Sequence, residues 1–544
     1  MPLPPPHAEG TTLAIPDTAG SRPVHFAALG ALARTANDGL LIATAVVATV
    51  FSMVQWVSPG IVGIDGYFHI KIAWLMAQQG WRILFPVPFP WLQTTVLNPA
   101  EFTDHHLLFH LLLVPFTVMD LRIGAKLAAV VFASVALLVM YQVMAENRVK
   151  APLVWLLVAM ASAGPFLYRL SMTRRQSLTV LILLATLLMA FRGKSRWLLP
   201  IAFAFTWLFD GFPMLLGVCG AVFLGFWWER RRPDWGLLIY PTLGVILGTV
   251  LNPYFPNNVL FSYLHMLPKV LQLVGLSAGD EEVRVGNEWY PYGTDFLFQS
   301  SGLAVLMVPA GFLPVLFDLR PSKLRRVDGM VVALGIIAMA FLVLFLRSRR
   351  WVEAEPAFAT LLCAFAWSRA LPERITEPLR AYLTPGRQLV VAVVAGLLVL
   401  PLLWQSITSA QDDVRGTKDY TRYRGATTWL MANTPDLSRV FATDWDDFPE
   451  LFYWDTHNTY LIGLDPTYMY LHDGPLYLRW RSITRGQVDR PGADIRDLFD
   501  CGWVFSDLDH KLFIERARAD PEMTEVYRDR STVVFAVRGW KPRD

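Results

Sequence analysis

The chain has 544 residues, 54% of them hydrophobic, and a mean hydropathy of +0.38. Only 17% are charged, against about 25% in soluble proteins, which excludes an ordinary soluble domain and implies a polytopic membrane protein rich in interface-seeking Trp and Phe. The net charge of +3 gives no reason to expect a nucleic-acid partner, and Cys219, Cys363 and Cys501 are too scattered for a disulfide framework or a zinc site.

Residues 1–37 are rich in Pro, Ala, Gly and Thr and lack a long apolar run, which predicts a disordered cytoplasmic tail and no cleaved signal peptide. A spanning helix needs about 20 mostly apolar residues. About eleven segments approach that, near 38–58, 122–144, 151–168, 175–192, 197–210, 212–228, 235–251, 300–318, 329–347, 356–370 and 388–408. Basic residues mark alternate connections: Arg148 and Lys150; Arg192, Lys194 and Arg196; Arg230 to Arg232; Arg320, Lys323, Arg325 and Arg326; Arg369, Arg374, Arg380 and Arg387. By the positive-inside rule these connections are cytoplasmic, with the tail. Arg347, Arg349 and Arg350 break the rule as an outer basic cluster. The outer connections at 59–121 and 252–299 are long, and 66–80 reads as an amphipathic helix in the interface.

Residues 410–544 alternate strand-like runs (440–443, 459–462, 503–505, 532–537) with helical ones (423–432, 476–484, 510–519), which predicts a compact α/β domain outside the membrane. The expected architecture is an α-helical polytopic membrane domain over 38–409, in the inner membrane, followed by a C-terminal extracytoplasmic α/β domain. Few ionisable residues fall mid-span, where an ion-coupled transporter would need them. Polar residues gather at outer helix ends and outer loops, the layout of an enzyme working at the outer face. The alternative is a non-catalytic transporter or flippase, or an assembly protein, for lipid-linked glycans.

Several short motifs carry candidate chemistry. In Asp65-Gly66-Tyr67-Phe68-His69 an acid and an imidazole four residues apart share a helical face. Asp104-His105-His106 puts three ionisable groups in a row at a membrane boundary, more than an N-cap needs. Arg169, Arg174 and Arg175, with Arg349 and Arg350, are outer arginines that oppose the insertion bias. Glu288 is framed by Trp289 and Tyr290, an aromatic platform for a sugar or an interface. Trp445-Asp446-Asp447 opens a turn after a strand, with Asp447 placed to cap a helix over 449–454.

These motifs resemble those of the GT-C superfamily of membrane glycosyltransferases, and within it the catalytic subunit of oligosaccharyltransferases. That family ends its first membrane helix in an Asp-Pro-Tyr-Tyr-His-like sequence, matched by Asp65 to His69. It carries a Ser-Val-Ser-Glu-like motif in a long outer loop, where this chain has Val285-Gly286-Asn287-Glu288-Trp289-Tyr290-Pro291. Its outer domain carries Trp-Trp-Asp-Tyr-Gly, against Asp444-Trp445-Asp446-Asp447-Phe448 here, and its late basic-aromatic pair before a Pro is matched by Arg350-Trp351 and Pro356. Two departures stand out. The acidic pair that ligates metal in the family's second outer loop is replaced by Tyr168-Arg169-Leu170-Ser171-Met172-Thr173-Arg174-Arg175, and Asp444 stands where the first Trp of the sequon-reading motif belongs.

The resemblance implies transfer of a sugar or oligosaccharide from a polyprenyl phosphate or pyrophosphate carrier to a protein, lipid or glycan acceptor, in contact with the lipid bilayer. Asp65 would be the general base. Glu288 would orient the acceptor or second Asp65, and Asp104 is a further catalytic candidate. Arg169, Arg174, Arg175, Arg349 and Arg350 would clamp the donor phosphate, joined by His105 if its imidazole is protonated. His69, Trp289, Tyr290, Trp445 and Asp446 would face the acceptor or substrate. A divalent cation, Mg²⁺ or Mn²⁺, would lean on Asp65 and Asp104; loss of the family's acidic pair predicts weak or absent metal dependence.

Overall fold

The computed structural model describes residues 23–82, 86–273, 286–317, 328–370 and 385–541. Among the sequence features above, residues 1–22, Val285 and the basic residues at 320–326, 374 and 380 lie outside that set. The first part of the chain forms α1 (Pro23–Gln55), α2 (Asp65–Gln78), α3 (Leu107–Leu113), α4 (Leu121–Glu146), α5 (Pro152–Ala161), α6 (Gly164–Ser171), α7 (Gln176–Phe191) and α8 (Leu198–Leu208). It continues with α9 (Pro213–Arg230), α10 (Gly236–Val250), α11 (Asn257–Phe261), α12 (Leu267–Leu273), α13 (Thr294–Phe317), α14 (Gly329–Arg347), α15 (Glu355–Ala370) and α16 (Pro385–Arg415).

Among the described residues, four helices are long and apolar enough to cross a membrane: 38–55 of α1, α4, 294–316 of α13, and α14. The other expected spans fall, among the described residues, in helices that are shorter, less apolar or bent. The tail expectation also changes, because 23–37 is helical and continuous with the first span. Lys126 of α4 closes the far end of α1. It donates to the carbonyls of Gln55 and Ser58, each at 2.6 Å, satisfying groups that a helix end leaves unpaired.

The segment expected as a span over 151–168 is broken. α5 and α6 meet at 90°. Ala163 is extended, and Pro165 follows Gly164 at the start of α6. Proline has no N–H to continue the α5 ladder and pushes its predecessor out of helical geometry. Gly164 lets α6 pack hard on α16, since a Cβ there would lie 2.6 Å from Ser409 Oγ. The bend delivers Arg169, and then Arg174 and Arg175, to one place at the end of the bundle that meets the C-terminal α/β domain.

Past α16 the chain forms a five-stranded mixed sheet flanked by helices: α17 (Arg424–Asn433), β1 (Arg439–Ala442), α18 (Phe448–Trp454), β2 (Thr459–Tyr460), α19 (Pro466–His472), α20 (Gly474–Thr484), α21 (Pro491–Asp497), β3 (Trp503–Asp507), α22 (Lys511–Ala519), β4 (Met523–Arg528) and β5 (Thr532–Val537). The strand order is β2-β1-β3-β5-β4. β1 pairs parallel with β2 and β3, and β5 pairs antiparallel with β3 and β4. α16 runs on to Arg415, past the expected boundary at 410.

The outer domain is not a free appendage. Phe68, Ile72 and Met76 of α2 share a buried core with Phe89, Trp91, Phe448, Phe452 and Tyr460. Trp91 C=O accepts from Tyr460 N–H at 2.8 Å, and its indole donates to Thr456 C=O at 2.9 Å. α2 is therefore clamped between the first outer loop and α18, where the sequence suggested a helix lying on lipid. Each large apolar side chain buried there contributes about 1.5–3 kcal/mol, enough to fix α2, and the Asp65 at its first position, against the rest of the site.

Candidate functional site

Asp65 opens α2 just after a tight approach of two loops. Gly63 has φ +80°, a conformation in which glycine carries no Cβ penalty. Gly66 leaves no room for a side chain: a Cβ there would meet Ile61 Cγ2 at 2.6 Å and Thr173 Cβ at 3.1 Å. Thr173 N–H donates to Val62 C=O at 3.3 Å. This packing brings Asp65 Oδ2 to 2.7 Å from Arg174 Nη2. Burial raises the Asp65 carboxyl above the ordinary range, against the pull of Arg174.

Glu288 is the hub of an ion-pair network. It accepts from Arg169 Nη1 at 2.7 Å and Arg350 Nη1 at 3.1 Å, and Arg174 Nη1 lies 3.5 Å away. Burial would push its carboxyl up, but Arg169 and Arg174 outweigh burial and hold it down at about 2. Arg169 turns its other arm to Glu353 at 3.1 Å, and Arg175 reaches Glu353 at 3.5 Å. The Ser348 hydroxyl donates to Glu288 C=O at 2.9 Å, tying the hub to the turn after α14.

A histidine relay lies on the other side of α2. Asp104 Oδ2 accepts from His110 Nδ1 at 2.6 Å, and His110 Nε2 faces His69 Nδ1 at 2.8 Å. With Asp104 as acceptor, the His110 Nδ1–H donates to it, and His110 Nε2 and His69 Nδ1 share one hydrogen bond. Burial first, then His110, holds the His69 imidazole well below its usual range, so it is neutral.

These groups line or back a cavity of about 930 Å³ between the helix ends of the bundle and the C-terminal α/β domain. Asp65, His69, His105, His106, Arg174, Arg175, Glu288, Trp289, Arg350, Trp445 and Asp446 line it. The structure thus gathers most of the residues singled out in the sequence, from loops up to 381 positions apart (65 to 446). Arg350 lies over the Trp289 ring at 4.6 Å. Asp446 is raised to about 7, by burial first and then by the charges of Asp65 and Asp444.

The geometry places six of these residues differently from the sequence expectation. Arg349 does not face the cavity; its Nε and Nη2 donate to the carbonyls of Tyr290 (3.2 Å) and Pro291 (3.1 Å). Tyr290 turns away too and is 42% exposed. Asp104 is 6% exposed and both its oxygens are spent, one on His110 and one on His106 N–H at 2.9 Å, so it supports the relay and is not a free acid. His105 stacks on Phe261 at 4.7 Å, and burial pushes its imidazole down to about 3, which removes the charge a phosphate contact would use. Arg169 stands behind the cavity wall, spent on Glu288 and Glu353. Asp447 sits at the N-cap position of α18 but its side chain accepts instead from the Tyr423 hydroxyl.

Sequence reading missed His110, Glu353, Asp210 and the pair Lys269–Asp465 (2.7 Å). His110 carried a signal, four residues after His106 in an otherwise apolar run. Glu353 lies four residues past Arg349, inside the outer cluster that broke the positive-inside rule. Lys269 and Asp465 are 196 positions apart, and nothing local links them.

Among the described residues, the acids of the site do not assemble a Mg²⁺ or Mn²⁺ ligand set. Among the described residues no three His, Cys, Asp or Glu side chains converge as metal ligands. Hard divalent cations want several oxygens, and Asp65 and Glu288 instead meet guanidinium groups. The paired ligation expected of Asp65 and Asp104 is absent, because Asp104 is committed to the relay.

No family profile and no curated protein matches this sequence. Solved structures do match its fold. The archaeal oligosaccharyltransferase AglB from Archaeoglobus fulgidus, solved in complex with an inhibitory peptide and a dolichol-phosphate, matches 93% of this chain and 75% of its own at TM-score 0.62 and 12% identity. ArnT from Cupriavidus metallidurans, bound to undecaprenyl phosphate, matches 93% of this chain and 99% of its own at TM-score 0.52 and 16% identity. The helical bundle, the bent α5–α6 pair and the C-terminal α/β domain over a polar cavity together give this chain the same fold as these two structures, and the likeness is one of fold.

Proposed function

We propose that this protein is a membrane glycosyltransferase that moves a sugar or oligosaccharide from a polyprenyl phosphate or pyrophosphate carrier to an acceptor at the outer face of the membrane. The observation that carries the reading is the pairing of Asp65 with Arg174 at 2.7 Å on the wall of a cavity that also presents Arg175 and Arg350. Guanidinium groups bind phosphate oxygens in a bidentate way and stay charged when buried. In both structural relatives named above, a polyprenyl or dolichol phosphate is the bound lipid, which supports the same class of donor here.

The chemistry follows from these charges. The donor phosphate enters between Arg174, Arg175 and Arg350 and takes Arg174 away from Asp65. Asp65, freed of its partner in a buried site, gains basicity. It takes the proton of the acceptor's O–H or N–H as that atom attacks the anomeric carbon. The bond from that carbon to the phosphate oxygen breaks, and the carrier phosphate leaves with the electron pair, held by the arginines. Stabilising that departing charge in a water-poor site is the larger part of the catalysis, and proton removal adds about 10²–10⁴-fold. Glu288 sets the arginines' positions and Trp289, Trp445 and Asp446 face the substrate.

The test is transfer or donor hydrolysis by purified protein in lipid nanodiscs, with undecaprenyl-phosphate-linked sugars as donors and Asp65→Asn as the comparison. Release of sugar by the wild-type protein and not by the variant supports the reading. Transport of the intact lipid-linked sugar across a bilayer, with no release of sugar by either protein, refutes it in favour of a flippase.

A further inference from the structure

Asp210 stands in the turn between α8 and α9, at the outer end of the bundle; α8 stops at Leu208, so the residue lies beyond the helix that the sequence ran to 210. It is 8% exposed, and neither carboxylate oxygen has a hydrogen-bond partner among the described residues. Leaving such a group unmatched costs on the order of several kcal/mol. Folded chains keep an orphan of this kind where a ligand completes it.

The neighbours of Asp210 narrow the ligand. Phe209 carries the Arg175 guanidinium over its ring at 3.3 Å, so the Asp210 turn is a wall of the arginine pocket. His106 lies 5.9 Å from Phe209 and 4.1 Å from His105. His105 Nδ1 and His106 Nδ1 also lack partners, and all three residues line the same cavity. Burial holds both imidazoles low, so they are neutral and can donate or accept. A phosphate would be repelled by the carboxylate. A cation would meet the charges of Arg175 and Lys269, which both act on Asp210. Metal is not favoured, since among the described residues no three ligands converge. Neutral hydroxyl groups suit every partner: two adjacent ones can donate to the two carboxylate oxygens, and others can exchange hydrogen bonds with neutral imidazoles.

We infer that Asp210, flanked by His105 and His106, is a subsite for the vicinal hydroxyls of the sugar on the donor, and so a specificity-determining contact beside the phosphate clamp. The inference rests on the glycosyl-donor reading above. Arg175 joins the two regions: its guanidinium lines the phosphate pocket and stacks on the ring that precedes Asp210.

The test is a binding titration by intrinsic tryptophan fluorescence on the full-length protein in neutral-lipid nanodiscs. The probes are undecaprenyl phosphate and undecaprenyl phosphate bearing glucose, mannose or arabinose. The wild-type protein should bind at least one sugar-bearing lipid about tenfold more tightly than the bare phosphate, the size of one or two hydrogen bonds to a charged group. Asp210→Asn should abolish most of that preference while leaving bare-phosphate affinity within about twofold. Arg350→Ala should weaken all probes alike. A wild-type protein with no preference, or an Asp210→Asn protein that keeps it, overturns the subsite and leaves the phosphate reading intact. Failure of bare undecaprenyl phosphate to bind overturns the phosphate reading and this inference with it. Methyl glycosides titrated onto protein already saturated with undecaprenyl phosphate report on the acceptor. If Asp210→Asn weakens those and not the donor preference, the donor assignment is wrong. Thermal unfolding of each variant separates these outcomes from misfolding, and Asp210→Asn, which removes an unmatched buried charge at constant shape, should not unfold earlier than the wild type.

Discussion

Glu288 offers the sharpest test of how the site is held together. Replacing it with Gln keeps the shape and removes the charge that faces Arg169, Arg174 and Arg350. Its carboxyl is held at about 2, against an ordinary 4.5; at ~1.4 kcal/mol per pH unit that difference is worth about 3 kcal/mol. The group is mostly shielded, with a side chain 21% exposed against an Arg169 side chain 10% exposed, so little of that figure is lost to solvent screening. A loss of about 3 kcal/mol also agrees with the usual cost of leaving one side of a buried ion pair unmatched. The pH dependence has a definite sign. A depressed carboxyl adds stability that is full above 4.5 and lost as pH falls toward 2. Chemical unfolding followed by tryptophan fluorescence should therefore show Glu288→Gln about 3 kcal/mol less stable than wild type at pH 7, with the gap closing on acidification through that window. The exposed pair Asp412–Arg415 is the control; Asp412→Asn should cost less than about 1 kcal/mol. A gap for Glu288→Gln no larger than the control, or one that persists unchanged at low pH, would refute the hub.

Further expectations concern activity and the outer domain. Asp65→Asn should lower transfer on the order of 10²-fold or more while keeping bare lipid-phosphate binding; near-full turnover in a folded preparation would remove Asp65 as the base. Arg350→Ala should raise the donor KM more than it lowers kcat, whereas Arg349→Ala, which releases the carbonyls of Tyr290 and Pro291, should lower thermal stability without a selective donor effect; equal donor KM changes in both would contradict the division between them. Transfer should persist after exhaustive chelation, since arginines stand where the metal ligands would; complete loss restored by Mn²⁺ would show a site that uses the metal after all. Asp446, raised to about 7, contributes stability that is full below 3.8 and lost as pH rises through 7. Unfolding midpoints should then show Asp446→Asn more stable than wild type at pH 8 and equal to it near pH 4, and identical pH profiles would contradict the burial argument.

The arginine cluster has a consequence for how the fold's chemistry is run. A cation held by carboxylates and a guanidinium held by carboxylates deliver positive charge to the same kind of place. The second needs no metal supply, but it needs counter-charges, which Glu288 and Glu353 provide. Arginine also brings fixed, directional N–H donors in place of exchangeable coordination positions.

Much of this protein was legible without a structure. Hydropathy alone dictates a membrane bundle, because about 20 apolar residues in a row have no other stable home. Alternating short apolar runs after 415 dictate a sheet with helices. Asp65, Glu288, Trp445 and Asp446 stood out in short motifs of acids beside aromatic or imidazole side chains, and Arg174, Arg175 and Arg350 because they oppose the insertion bias. Tertiary structure alone decided which of them meet. Arg349 and Arg350 are neighbours in sequence and point to different tasks, since a 3-10 turn separates their directions. Asp104 looked like a free acid and is spent on His110, a pairing set by the approach of two loops. The 90° break at Ser162 and Ala163, which brings the arginines to Asp65, has only a Gly-Pro to announce it, and the direction of a bend is fixed by what the helix packs against. Asp210 shows the limit most plainly. In the sequence it is one acid at the end of an apolar run, and its unmatched oxygens exist only because burial by distant segments removed the water that would otherwise have satisfied them.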